Sequence, residues 1–576
     1  MKRKVTRQDM FVHDMIHNNP GLAKYDSFYC DPQFLKERGY DSKTFDIFEC
    51  AQFGLLWDRY DELRGDGKKV FPSGSAGRAW AEEKKKELTG FYNAAVGAGL
   101  KVTFMMDIIV LPEMIAELEP DILDKAGKMD ICSSTMKKVL DCMFDEMFSE
   151  FPQISGIYIR YGETYVGDRY LTPFHRGNNP ILGDALTYHR FLIQYLTDKV
   201  CEEYNREIYY RTWGFGDFQY DPDLYLEVSN AIPEHRNLYF CIKHTQGDFH
   251  RTFRFNQCLN IGKHKQIIEV QAAREYEGKG AYPNYVADGI INGFEEFKWL
   301  MREDETCSLK EVVNTENSLV KGIWTWSRGG GWDGPYINGR NGENGLVVVK
   351  EGSELWADLN AYVISHWAKD TSHSDRYYAE QYARQELGMD IRNQELFYEI
   401  CVKSAHAVLL GRGTNSPLLE FSVWWTRDQN INYAELQKNI ENAERKGLLD
   451  VLLEEKKQSV VVWKEIVALA QQLSEKTEAK TYIVATCRYG FLLYSLYEVM
   501  YRANVIALQK NNEEKLKAAI MEYDQLWNEW IELKRNNAGC PTLFSKQEEP
   551  LDLIGYYGNQ GFDAAINPLR DLKYGE

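Results

Sequence analysis

The sequence predicts an α/β fold: a (β/α)8 barrel of the TIM class, followed by an all-α helical C-terminal domain. Three observations carry this. Strand-length apolar runs alternate eight times with helical runs through roughly the first 350 residues, the pattern of a parallel sheet with crossover helices. Loops lengthen and collect carboxylates at the C-terminal ends of those strands, where a barrel carries its chemistry. Beyond about Lys350 the chain turns to long helical segments with few breakers. A doubly wound sheet is the alternative, weakened because no Gly-rich phosphate turn follows the first strand. The expected division is a barrel over 1–350, a helical domain over 351–540 and an irregular tail over 541–576 packed on the body.

In order, a short strand begins at Met10–Val12, and its exit carries His13, Asp14 and His17. Asp31–Gly39 reads as a helix stopped by glycine, and Thr44–Gln52 as a second strand. Trp80–Ala98 is a helix and Val102–Val110 a buried strand. Met136, Val139, Leu140, Met143, Phe144, Met147, Phe148 and Phe151 recur at helical spacing, with Ser133 or Ser134 as N-cap. Ile157–Glu163 is a strand, followed by a long loop with Asp168, Arg169, His175 and Arg176. A helix spans Leu186–Tyr204. Strands follow at Ile208–Phe215, Leu238–Asp248, Gln266–Glu275 and Gly322–Trp326. Helical segments are read at Ser372–Leu387, Arg392–Leu410, Tyr433–Lys446, Leu448–Leu473, Lys480–Ala507 and Glu513–Lys534.

Composition narrows the function. At 576 residues the chain is too long for one core. Its net charge of −18 argues against a nucleic-acid or anionic-membrane partner. The 11 cysteines are scattered with no CxxC pair, the pattern of reduced structural thiols. Histidines lack ligand spacing, so no metal and no cofactor is expected. No signal peptide is visible, and no run of about 18 apolar residues exists for a membrane span. A cytoplasmic location is expected, with the periplasm open if a leader has been lost.

The chemistry lies in three strand ends. IYIRYGE ends in Glu163, LYFCIKHTQGDF carries Asp248 and QIIEVQAAREYEG carries Glu275. Three carboxylates at one barrel face suit hydrolysis of a glycosidic bond. One acid protonates the leaving oxygen, and one or two activate water or attack the sugar carbon. The 36 Tyr and 14 Trp suit stacking on sugar rings, or equally a large core. Trp213, Trp324, Trp326 and Trp332 fall at strand ends or just beyond. Arg211 is a candidate to grip a substrate carboxylate, since a guanidinium binds one bidentately, with a barrel-lining salt bridge as the competing reading. Lys243 would bond a sugar hydroxyl or an acid. Asp107, His13, His17 and His175 are candidate rim residues. The glycine-rich stretch Ser327–Arg340 lacks the Gly-Lys-Ser/Thr of a phosphate cradle, so it reads as a rim.

These stretches resemble the family 67 glycoside hydrolases, the microbial α-glucuronidases. IKHTQGDF is similar to that family's IK-x-G-x-x-DF strand, with Lys243, Asp248 and Phe249 in place. EVQAAREYEG is similar to its E-F-Q-x-x-x-EY-x-G, keeping Glu269, Gln271, Glu275, Tyr276 and Gly278. The resemblance implies that Asp248 and Glu275 jointly position water and that Glu163 in RYGET is the general acid. It places Arg160 near a carboxylate-binding lysine and Arg211 at an arginine that holds the uronate. Glu269 and Tyr276 come with the motif as substrate-binding residues, beside Arg160, Arg211, Trp213, Lys243, Trp326 and Trp332. The expected activity is exo-acting, inverting removal of a terminal uronic acid from an oligosaccharide or glycoside, by a homodimer. The family's separate N-terminal β domain has no counterpart, and SRGGGWDGPYINGRNG is unlike the family's last barrel strand.

Two other arrangements fit the same residues. Glu163 ends the fourth strand and Glu275 the seventh, the acid/base and nucleophile positions of many retaining barrel glycosidases, which would act on a neutral sugar. A barrel that binds carbohydrate without cleaving it is the third. Glu163 paired with Arg160 or Arg211 as a structural ion pair is the plain alternative to its catalytic role.

Overall fold

The computed structural model describes residues 10–16, 28–160, 173–174, 183–213, 217–272, 277, 280–328, 355–414, 432–474, 479–510, 512–537 and 561–572. Eight strands close into one parallel barrel in sequence order, β8 returning to β1. They are β1 (Phe11–Ile16), β2 (Ser42–Phe45), β3 (Lys101–Asp107), β4 (Ile154–Arg160), β5 (Glu207–Arg211), β6 (Leu238–Lys243), β7 (Lys265–Gln271) and β8 (Val320–Arg328).

Strand alternation decides which side chains fill the barrel. Tyr209 joins Met15, Met105, Tyr158, Cys241, Ile267, Trp324 and Trp326 in the interior cluster. Tyr210, one residue on, packs outward against Phe218 and Phe240. Inside, Tyr158 stacks between Tyr209, with centroids 4.5 Å apart, and Trp324, at 4.2 Å. Such offset stacks add about 0.5–1.5 kcal/mol each beyond their burial.

Around the barrel, α1 (Pro32–Glu37) links β1 to β2, while α2 (Asp58–Arg64) and α3 (Ala76–Gly97) link β2 to β3. Next come α4 (Glu113–Leu118) and α5 (Ser134–Glu150), then α6 (Ala185–Leu196), then α7 (Pro222–Ser229). Ser133 caps α5, its hydroxyl accepting from the Met136 N–H at 3.0 Å. Between β6 and β7, all of 244–264 is irregular, so the sixth crossover has no helix. After β7 come α8 (Ala287–Asn292), α9 (Phe297–Leu300) and α10 (Leu309–Val313). After β8, α11 (Leu355–Lys369) packs against β1 and β8 in the eighth helix position.

Several expected elements differ. The strands read to Val110 and Phe215 stop at Asp107 and Arg211. The second strand stops at Phe45, not Gln52, because Asp46 turns the chain: its carboxylate accepts the Phe48 N–H at 2.8 Å and its carbonyl the Glu49 N–H at 3.0 Å. The helix read to Tyr204 is α-helical only to Leu196 and continues as a π-turn over Thr197–Glu203. There the Thr197 hydroxyl donates back to the Ile193 carbonyl at 2.7 Å. The strand read to Asp248 ends at Lys243, which leaves Asp248 on a loop.

The helical region holds α12 (Asp375–Gln385), α13 (Ile391–Arg412), α14 (Tyr433–Arg445), α15 (Leu449–Gln472), α16 (Lys480–Gln509) and α17 (Glu513–Asn536). Its helices meet closely through glycine. A β-carbon on Gly490 would run into the Trp463 indole, and one on Gly411 into the Tyr494 ring. Of the C-terminal tail, 561–572 is described. Phe562 packs on Trp527 and Trp530, and Tyr523 donates to Asp563 at 3.0 Å.

Two buried histidines tie the fold to pH. His13 of β1 meets the Tyr158 hydroxyl at 2.8 Å through Nδ1, and burial together with Lys101 and Lys369 holds its pKa well below the ordinary value. His189 of α6 meets Tyr210 at 2.7 Å, and burial lowers it from 6.5 to about 3. Below pH 6.5 the unfolded chain takes up protons that these folded imidazoles refuse. Stability is therefore full above that pH and falls as pH drops towards the folded values, by about 1.4 kcal/mol per unit for each ring. Urea unfolding at about pH 7.5 and about pH 5 should show this loss, and His189→Gln should make the decline shallower by one ring's share. An unchanged slope in that variant would refute the linkage.

Candidate active site

Two ion pairs, Arg211–Glu269 and Lys243–Asp248, form two tiers at the C-terminal ends of the strands. Arg211 lies opposite Cys241, Lys243 opposite Glu269, and Glu269 opposite Trp324.

In the lower tier the Arg211 fork grips Glu269, Nε to Oε2 at 2.9 Å and Nη2 to Oε1 at 2.6 Å. Both side chains are closed to solvent, at 1% and 0% exposure. The guanidinium carbon lies 5.4 Å from the Trp324 ring and 5.6 Å from Trp326, and Nη1 points to the Met105 sulfur at 3.5 Å. The Cys241 thiol also reaches Glu269, and burial followed by that charge pushes its pKa well up. The structure thus brings two of the expected substrate-binding residues, Arg211 and Glu269, together as a buried ion pair within the barrel.

The upper tier holds the more exposed pair. Lys243 Nζ donates to Asp248 Oδ1 at 2.8 Å. It lies 3.3 Å from the centroid of the Trp213 ring and 4.4 Å from that of Phe249. Phe249 in turn meets the edge of Trp326 at 6.1 Å. Lys243 is buried, whereas the Asp248 side chain keeps 19% exposure, so the carboxylate is the group a ligand would reach. Its loop is shaped locally. The Asp248 carbonyl accepts the His250 N–H at 2.8 Å, and the Phe249 N–H donates to the carboxylate at 3.1 Å. Gly247 is required because a β-carbon there would strike the Phe253 ring.

Arg160 ends β4, buried, in register with Asp107 of β3. Asp107 and His13, expected at the rim, are both buried. The Asp107 carboxylate accepts the Ile109 N–H at 3.3 Å, and His13 points into the barrel core, because both sit on strands rather than on the loops beyond them. Glu163, Glu275, Tyr276 and Trp332 lie outside the described residues, as do His17, His175 and the chain from 329 to 354. Phe249, which the motif contains without assigning it a role, supplies one of the rings beside Lys243. Among the described residues no group of three His, Cys, Asp or Glu side chains could hold a metal, and no helix is long and apolar enough to cross a membrane.

This arrangement offers one reachable carboxylate, a positive charge fixed beside it, and aromatic walls. Aromatic walls of this kind can hold a sugar ring, while cleaving its anomeric bond takes a second carboxyl group in addition to Asp248.

No family model matches the chain, and no curated protein matches it in sequence. Among solved structures it is similar to a GH138 enzyme targeting pectin rhamnogalacturonan II, with a TM-score of 0.54 and 12% identity over 98% of this chain and 67% of that one. An O-GlcNAc hydrolase of Thermobaculum terrenum aligns with a TM-score of 0.37 and 10% identity over 92% of each chain, too loose to carry an argument. At such identities the first likeness shows a shared fold: a closed eight-stranded parallel barrel with a helical region behind it.

Proposed function

We propose that this protein is a glycoside hydrolase working at the C-terminal mouth of its barrel. The observation that carries the reading is Asp248, partly exposed, with Lys243 at 2.8 Å and the rings of Trp213, Phe249 and Trp326 around that pair. Asp248 acts on water as a base, with Glu275 as its partner and Glu163 as the proton donor; the last two roles rest on the sequence motifs. The barrel it shares with a GH138 enzyme is in keeping with this chemistry.

In its finer form the reading is exo-acting, inverting removal of a terminal uronic acid. Arg211 gives this no support, because its fork is held by Glu269. Among the described residues, the other cations at these strand ends are Arg160, buried at the end of β4, and Lys243, itself paired with Asp248. A homodimer belongs to the same reading, and exposed Ile391 and Val402 of α13 offer it apolar surface. The test is a panel of 4-nitrophenyl glycosides, uronides included, with proton NMR of the first-formed product. Release from a uronide with inverted anomeric configuration is expected. Retention would favour Glu163 as acid/base with Glu275 as nucleophile, and inertness across the panel would defeat the glycosidase reading.

A further inference from the structure

The segment 244–256 stands where the sixth barrel helix would be, and it carries Asp248. Its base is closed like a hairpin: the Gln246 N–H donates to the Arg254 carbonyl and the Asn256 N–H to the His244 carbonyl, each at 2.9 Å. Thr245 and Phe255 form an antiparallel bridge. These bonds fix the foot of the loop. The tip, from Asp248 onward, is fixed by something else.

That something is Arg251. Its main-chain N–H donates to Glu277 Oε1 at 2.9 Å, on the loop after β7. Its guanidinium grips the buried Glu296 through Nε at 3.0 Å and Nη2 at 2.8 Å. Nη1 donates to the Ala405 carbonyl of α13. Glu277 is itself tied down. Its Oε2 accepts from Asn284 at 3.2 Å, and its carbonyl accepts the Tyr282 hydroxyl, which meets Tyr494 of α16 at 3.0 Å. One buried side chain and its amide thus join three separate parts of the chain: the β6 loop, the β7 loop and the helical region.

We propose that Arg251 is a positioning residue, a clasp through which the helical region fixes the tip of the β6 loop and with it the Asp248 carboxylate. The proposal rests on the glycosidase reading for its effect on turnover, though not for its effect on the loop. Arg251 donates to Glu277, Glu296 and Ala405, not to Asp248, and so acts on it through the two residues of chain between them. An ion pair at this depth would ordinarily concern stability alone. What sets this one apart is its place: a displacement of about 1 Å at a reacting carboxylate costs roughly 100-fold in rate.

Arg251→Lys and Arg251→Gln in the full chain test it by two readouts. Amide exchange across 244–256 should rise by about tenfold while the barrel strands keep their protection. On the glycoside that the unmodified protein hydrolyses best, kcat should fall roughly 100-fold with KM little changed. Should Arg251→Gln fail to fold, Glu296→Gln loosens the same grip while leaving the Ala405 bond. Exchange that is unaltered in the loop, or raised evenly along the chain, overturns the clasp. If no glycoside is hydrolysed, the functional reading falls and the exchange data still decide the clasp.

Discussion

Asp248→Asn is expected to lower turnover by about 100- to 10,000-fold, the range that a positioned proton-transfer group contributes, and to leave the fold almost untouched. The replacement has the same shape. Its amide oxygen can still accept from Lys243 and from the Phe249 N–H, so the loop keeps both anchors. What is lost is the negative charge, and with it the ability to take a proton from water. The cost to stability should lie below the ~3–5 kcal/mol of a fully buried unpaired charge, because Lys243, though buried, keeps a neutral acceptor and the Asp248 side chain is 19% exposed. A kcat measurement on the best glycoside, paired with a urea midpoint, separates the two effects. Turnover within a few-fold of the unmodified protein would remove Asp248 from the chemistry. An unfolded variant would mean that the Lys243 pair holds the barrel mouth together, against its partly open position.

Much of this architecture is legible in the residues, for physical reasons that also explain the gaps. The barrel strands show as apolar runs because a parallel sheet is buried on both faces. Their ends do not show, since apolar sequence can continue after the ladder stops. In TFDIFECAQ the apolar run goes on to Cys50, but Asp46 captures the next amides and breaks the strand. The helices from 375 onward show through their polar faces, whereas α11 does not. Of its 15 residues the buried ones include Leu355, Trp356, Leu359, Tyr362, Val363, Ile364 and Trp367, spread all round, so no amphipathic period marks it. In the site, Asp248 and Lys243 are legible because the motif holds both within six residues. The engagement of Arg211 is not, because its partner Glu269 lies 58 residues away and only barrel closure brings them together. The role of Arg251 is hidden in the sequence for the same reason: its partners Glu277, Glu296 and Ala405 are distant along the chain.

Breaking the Arg211–Glu269 pair should destabilise the protein far more than any change at the mouth. Arg211→Met leaves a carboxylate at 0% exposure without its partner, and Glu269→Gln leaves the guanidinium in the same position. Either should cost about 3–5 kcal/mol, the penalty for an uncompensated buried charge. The double variant Arg211→Met/Glu269→Leu should recover most of that loss, because apolar side chains of similar volume suit a wall already made of Met105, Trp324 and Trp326. A double-mutant cycle by urea unfolding would then give a large coupling between the two positions. The competing role makes the opposite forecast: if Arg211 held a substrate carboxylate, Arg211→Met would raise KM for uronides while stability stayed level. The geometry favours the first outcome. Two of the three guanidinium nitrogens already donate to Glu269, the third faces a thioether, and two indoles lie within 6 Å of the guanidinium carbon. To bind a uronate, Arg211 would have to abandon Glu269 at the cost just stated, and a substrate carboxylate could at best repay it. Selectivity for an acidic sugar should therefore not follow substitutions at Arg211.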